Sequence, residues 1–122
     1  LDVTDKLICY PLLSQQDISK LYNILDVFCF PTRRKSESLG LVGLEAMACG
    51  VVPICTRTGG MPDVVADGKN GYLSDVSLNA YMSALERYLN EAGGLEDLVK
   101  YFESRFSMSS CAAKYMDIYE TR

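Results

Sequence analysis

The stretch DVFCFPTRRKSESLGLVGLEAMACGVVPICTRTGG, residues 26–60, holds two short apolar runs with a helix-forming segment between them. Val27, Phe28, Cys29 and Phe30 form a β-branched and aromatic run that stops at Pro31, the pattern of a buried strand. Residues 39–49 carry the helix formers Leu41, Leu44, Glu45, Ala46, Met47 and Ala48, and Gly50 is placed to end the helix. Residues 51–55 are a second apolar run, closed by a Gly59-Gly60 turn. Strands that are apolar at nearly every position, joined through a helix, predict a parallel sheet covered on both faces.

Working outward toward the N-terminus, residues 6–12 form another apolar run ending at Pro11 and read as a further buried strand. Ser14 is a candidate N-cap for a helix carrying Ile18, Leu21, Tyr22 and Leu25. Toward the C-terminus, residues 62–66 read as one helical turn, Asp67-Gly68 and Asn70-Gly71 as tight turns, and Tyr72-Leu73 as a small strand. From Leu78 the period becomes helical through Tyr81, Met82, Leu85, Tyr88 and Leu89, breaks at Gly93-Gly94, and resumes through Leu95, Leu98, Val99 and Phe102. A last helix carries Cys111, Ala112, Tyr115, Met116 and Tyr119. The expected class is α/β: a Rossmann-like parallel sheet with helices on both faces. Residues 1–122 form one domain, with 78–122 as C-terminal helices.

Composition narrows the function. The 122 residues suit one domain able to bury roughly two-thirds of its unfolded surface. A formal net charge of −4, with no basic stripe, argues against a nucleic-acid partner. No histidine is present, so the usual general base and the commonest metal ligand are both missing. Five cysteines, odd in number and without a C-x-x-C, argue against a zinc site or disulfide framework and predict buried free thiols in a reducing cytoplasm. No apolar run reaches the 18–20 residues or so of a membrane span. The chain starts at Leu1, without a signal-like segment or an initiator Met, which suggests a piece of a longer protein.

Ligands of open parallel sheets bind outside the carboxyl ends of the strands. Two segments leave such ends, residues 31–40 and residues 56–62, and both are richer in polar residues and glycine than a connection needs. Glu37 and Glu45 stand eight residues apart, about 12 Å if helical, too far to share one proton-transfer centre but suited to gripping two ends of an extended ligand. Between them the helix opens at Ser38, Leu39, Gly40 and Leu41, a site for an anion at backbone N–H groups. That order suits a sugar–diphosphate–ribose molecule. Spacing alone favours the plainer reading of Glu37 as a solvated loop residue and Glu45 as a helix-surface residue.

Residues 26–73 resemble the donor-binding domain of glycosyltransferase family 4 and its relatives. The resemblance rests on Glu-x7-Glu (Glu37 and Glu45), LEAMACG (44–50), the Gly59-Gly60 turn and DGKNGYL (67–73). It implies the C-terminal half of a GT-B fold, truncated at its N-terminus, from a retaining transferase that moves a sugar from a nucleotide-diphosphate sugar without a metal. It implies Glu37 at the donor sugar as a positioning and electrostatic residue and Glu45 at the ribose. The amides of Gly40, Leu41 and Val42 would face the diphosphate, with Ser38, Leu39, Gly59 and Gly60 completing the donor site.

The partners implied are the nucleotide sugar and an N-terminal acceptor-binding domain. The family's setting is cytoplasmic, with a peripheral contact to the inner face of the membrane as an option, in capsule or lipopolysaccharide assembly. The chain departs from the pattern at Ser38-Leu39, where Gly-Phe is common, and at Asp63, where Glu is usual. The family's upstream Arg and Lys, which clamp the diphosphate, have no counterpart here. Arg33, Arg34 and Lys35 read as a solvated loop tip, Arg57 as ambiguous, and Tyr81 and Tyr88 as packing residues. The competing readings are a sugar-nucleotide epimerase-like domain, which ordinarily depends on other acid and base residues, and a non-catalytic Rossmann-like binding module.

Overall fold

The computed structural model describes residues 2–36 and 38–121, with Ala92 by its backbone alone. Three strands, β1 (Val27–Phe30), β2 (Val52–Thr56) and β3 (Tyr72–Ser74), form one parallel sheet in the order β1-β2-β3. Val27 pairs with Val52 and Phe30 with Cys55, while Cys55 pairs with Leu73 and Ile54 with Tyr72. Alternation along the strands then sends Cys55 and Leu73 to one face and Ile54 and Tyr72 to the other.

Helices cover both faces, as the continuously apolar strands require. On the first face, α2 (Leu41–Ala48), α3 (Met61–Val64) and α5 (Leu98–Arg105) bury Met47, Met61, Val64, Val65, Leu98 and Tyr101 against Cys55 and Leu73. On the opposite face, α4 (Leu78–Glu91) lays Tyr81, Ala84, Leu85 and Tyr88 over Ile54 and Tyr72. The short helix α1 (Gln15–Tyr22) seats Tyr22 beside Ala46 and Val51 at the β1 end. Each fully buried Met or Ile contributes roughly 1.5–3 kcal/mol through removal of its apolar surface from water. Tyr81 and Tyr88 are packing residues as expected, and their hydroxyls donate to the carbonyls of Ile54 (2.7 Å) and Asp26 (3.1 Å).

The N-cap read at Ser14 is in place. Ser14 Oγ accepts from the Asp17 N–H at 3.2 Å and opens α1. The final helix α6 (Met108–Glu120) is capped by Ser107 and buries none of its residues.

Three expectations are corrected. Residues 6–12 are not a strand: a 3₁₀ turn (Thr4–Lys6) runs into extended chain, with Leu7, Ile8, Tyr10 and Leu12 exposed. An apolar run becomes a strand only by pairing, and no described segment lies along the outer edge of β1 to receive it. Leu25 lies beyond the end of α1, which stops at Tyr22. Of the five thiols only Cys55 is buried; Cys9 and Cys29 are exposed and Cys49 and Cys111 half-buried. Cys9 lies in the unpaired run, and Cys29 sits on the edge strand β1.

Candidate functional site

The carboxyl ends of β1 and β2 feed two loops that meet backbone to backbone. Gly40 caps α2 with φ +71°, a left-handed conformation suited to glycine, and offers no side chain to close the first amides of the helix. It is also packed tightly, since a Cβ there would sit 2.0 Å from Met61 Sδ at the start of α3. In the second loop Gly60 plays the matching part. A Cβ at Gly60 would lie 1.9 Å from the Ser38 carbonyl oxygen and 2.9 Å from Leu39 Cα. Only a residue without a side chain allows residues 38–40 and 58–60 to touch in this way. The seam is further held by Thr56, whose buried hydroxyl donates to the Thr32 carbonyl.

The structure therefore brings Ser38 and Leu39 against Gly60 and Gly40 against Met61, with Leu41 and Val42 following in the first turn of α2 and Gly59 preceding Gly60. Ser38, Leu39 and Leu41 are exposed, Gly40 is buried, and Val42 is half-buried. Glu37 lies outside the described residues. Glu45 stands farther along α2, half-buried, and its Oε2 accepts a hydrogen bond from the Tyr22 hydroxyl at 3.2 Å. The same hydroxyl lies 3.3 Å from the Val42 carbonyl. Burial and then the neighbouring Glu45 carboxylate raise the Tyr22 phenol well above its ordinary value, so it is a proton donor throughout the neutral range. Glu45 lines an open cavity of about 170 Å³ with Gln15, Ile18, Ser19, Tyr22, Ala48 and Cys49.

The basic loop tip faces elsewhere. Arg33, Arg34 and Lys35 are exposed, as the solvated-tip reading expects. Arg33 borders a cavity of about 240 Å³ on the α4 side of the sheet, with Val76, Leu78 and Tyr81 among its walls. Arg57 pairs with Asp75 at 3.6 Å in solvent, which turns it away from the seam toward the end of β3.

Thr58 is the residue that sequence reading passed over. Its hydroxyl is the one buried side-chain polar atom without a hydrogen-bond partner among the described residues. A threonine between Arg57 and Gly59 has nothing in its type or spacing to single it out; only burial does.

Among the described residues no helix is long and apolar enough to cross a membrane. The family model for group 1 glycosyl transferases matches residues 1–105. The glycogen synthase of Thermodesulfovibrio yellowstonii is 35% identical over 105 residues, covering 82% of this chain and 21% of that protein. The D-inositol 3-phosphate glycosyltransferase of Segniliparus rotundus is 37% identical over 75 residues, covering 62% of this chain and 16% of that protein. Among solved structures, the catalytic domain of starch synthase IV from Arabidopsis thaliana, bound to ADP and acarbose, superposes with a TM-score of 0.68. Its identity is 28%, over 90% of this chain and 25% of that one. The chain thus spans a quarter or less of the length of these proteins. The α/β fold, the two glycine-bearing loops at the sheet's carboxyl edge and the matched residues agree: the chain belongs to the group 1 glycosyl transferases.

Proposed function

We propose that this chain is the donor-binding domain of a retaining glycosyltransferase of the family 4 type, the C-terminal half of a GT-B enzyme. The observation that carries the reading is the seam itself. A helix opening at Gly40 and a glycine turn at Gly59-Gly60 meet at the carboxyl edge of a parallel sheet, with Glu45 at an open cavity on the same helix. The enzyme would transfer a sugar from a nucleotide-diphosphate sugar to an acceptor held by an N-terminal domain. Within residues 1–122, the stretch 78–122 supplies the C-terminal helices, and the chain alone is inactive. A relative solved with ADP supports the nucleotide part of this reading.

In this reading the Glu45 carboxylate accepts hydrogen bonds from the ribose hydroxyls, in the orientation that the Tyr22 hydroxyl gives it. The amides of Gly40, Leu41 and Val42 face the diphosphate at the positive end of α2. Glu37 positions the donor sugar and stabilises charge developing at the anomeric carbon, and is not a nucleophile. Preorganised N–H donors aimed at the departing phosphate supply most of the acceleration, with no metal required. The acceptor hydroxyl attacks from the face the phosphate leaves and passes its proton to the departing phosphate, which gives retention. An upstream Arg and Lys complete the diphosphate clamp, and the enzyme works on the cytoplasmic side of the membrane.

Calorimetric titration of the full-length protein with UDP, GDP and ADP, in the presence of a chelator, tests the reading. Saturable binding of one nucleotide, weakened at least tenfold by Glu45→Ala, is the expected result. No binding of any of them, or equal binding by the variant, would refute the role of this half.

A further inference from the structure

A hydroxyl buried without a partner has given up its bonds to water on folding and received nothing in return, so its persistence calls for a reason. Thr58 is that case here. Its backbone is fully engaged: its N–H donates to the Thr56 carbonyl at 2.9 Å, and its carbonyl accepts from the Met61 N–H at 3.1 Å. The side chain alone is left over. It sits one residue before the Gly59-Gly60 pair, where the Ser38–Leu39 backbone lies against Gly60 and closes the loop.

We infer that Thr58 is a ligand-binding group held in reserve: its hydroxyl donates a hydrogen bond to an oxygen of the donor's diphosphate when the Ser38–Leu39 backbone moves off Gly60. The inference rests on the donor-binding reading and adds to it a side-chain contact from the second loop. Three features support it. Thr58 adjoins the seam where the helix opening and the glycine turn meet. A threonine hydroxyl is a donor of the kind phosphate oxygens accept. And the ligand-free protein leaves this one group unsatisfied, so a ligand oxygen supplies a partner that replaces no existing bond. The same reasoning assigns the ligand-free arrangement a cost that binding removes, so affinity and stability should respond in opposite directions to loss of the hydroxyl.

The test uses the near-isosteric Thr58→Val, with Thr58→Ser as the variant that keeps the hydroxyl, in the full-length protein. Two quantities are read: the thermal midpoint without ligand, and the dissociation constant for whichever of UDP, GDP and ADP the wild type binds most tightly. Thr58→Val is expected to unfold at the same or a higher midpoint and to bind at least fivefold more weakly, while Thr58→Ser stays within twofold of wild type. Unchanged affinity in Thr58→Val overturns the inference while leaving donor binding intact. A clearly lower midpoint overturns it too, because the hydroxyl then has a partner in the free protein. A wild type that binds none of the three refutes the donor-binding reading, and this inference with it.

Discussion

Two glycine-bearing regions lie at opposite ends of the sheet, the seam at the carboxyl ends of β1 and β2 and residues 67–71 ahead of β3, and they treat their polar groups in opposite ways. In the loop from Asp67 to Gly71 each side chain with a structural part to play is satisfied. Asn70, fully buried, donates to the Val64 carbonyl at 3.0 Å and accepts from the Ala66 N–H at 2.7 Å. Asp67 accepts from the Leu73 N–H and from Arg87, at 3.0 Å in each case. At the seam between residues 38–40 and 58–60, by contrast, contacts are backbone on backbone, the helix cap has no side chain, and Thr58 is left without a partner. Both loops carry motifs of the same family resemblance, yet only one is built as if its chemistry were still to be completed. A satisfied loop stabilises the fold, and an unsatisfied one at the mouth of a sheet is where a ligand belongs.

The contrast can be broken by substitution, beginning with the largest effect. Asn70→Ala should cost about 3 kcal/mol in urea unfolding, because it strands the buried Val64 carbonyl and Ala66 N–H and leaves a void. A cost under about 1 kcal/mol would show that the Asp67–Gly71 loop is not the structural pin described here. Gly60→Ala should cost less in stability, about 1–3 kcal/mol, since the Ser38 carbonyl must give way. Its nucleotide affinity should fall by at least tenfold, because the added Cβ fills the space beside Thr58 that a ligand oxygen would enter. An affinity equal to wild type would separate Gly60 from the binding site. Smallest is Tyr22→Phe, which removes one hydrogen bond to a half-buried carboxylate: about 1 kcal/mol in nucleotide affinity, read by titration, with the fold unchanged. A loss as large as that of Glu45→Ala would mean that Tyr22 itself contacts the ligand.

Legibility in the sequence followed the physics of each element. The strands β1 and β2 were readable because a parallel strand buried on both faces must be apolar at nearly every position, and Val27–Phe30 and Val52–Thr56 are close to that. Residues 6–12 are similarly apolar but pair with no described strand, and composition does not report pairing. Asn70 could be read as a turn residue, yet its burial at the end of α3 depends on where the chain returns. The placing of Ser38–Val42 opposite Gly59-Gly60 was accessible through the rule that ligands gather at strand carboxyl ends. The direct contact at Gly60 was not, because it is made by backbone atoms, and neither was the unpartnered hydroxyl of Thr58, which depends on how that side chain is buried.

The most direct measurement is amide chemical-shift mapping of the protein as the nucleoside diphosphate it binds is added. The account predicts that the largest shifts fall on residues 38–42 and 58–60, with Glu45 and its neighbours on α2 following, while residues 67–71 stay still. Shifts centred on the Asp67–Gly71 loop, or absent from both sides of the seam at saturation, would contradict it.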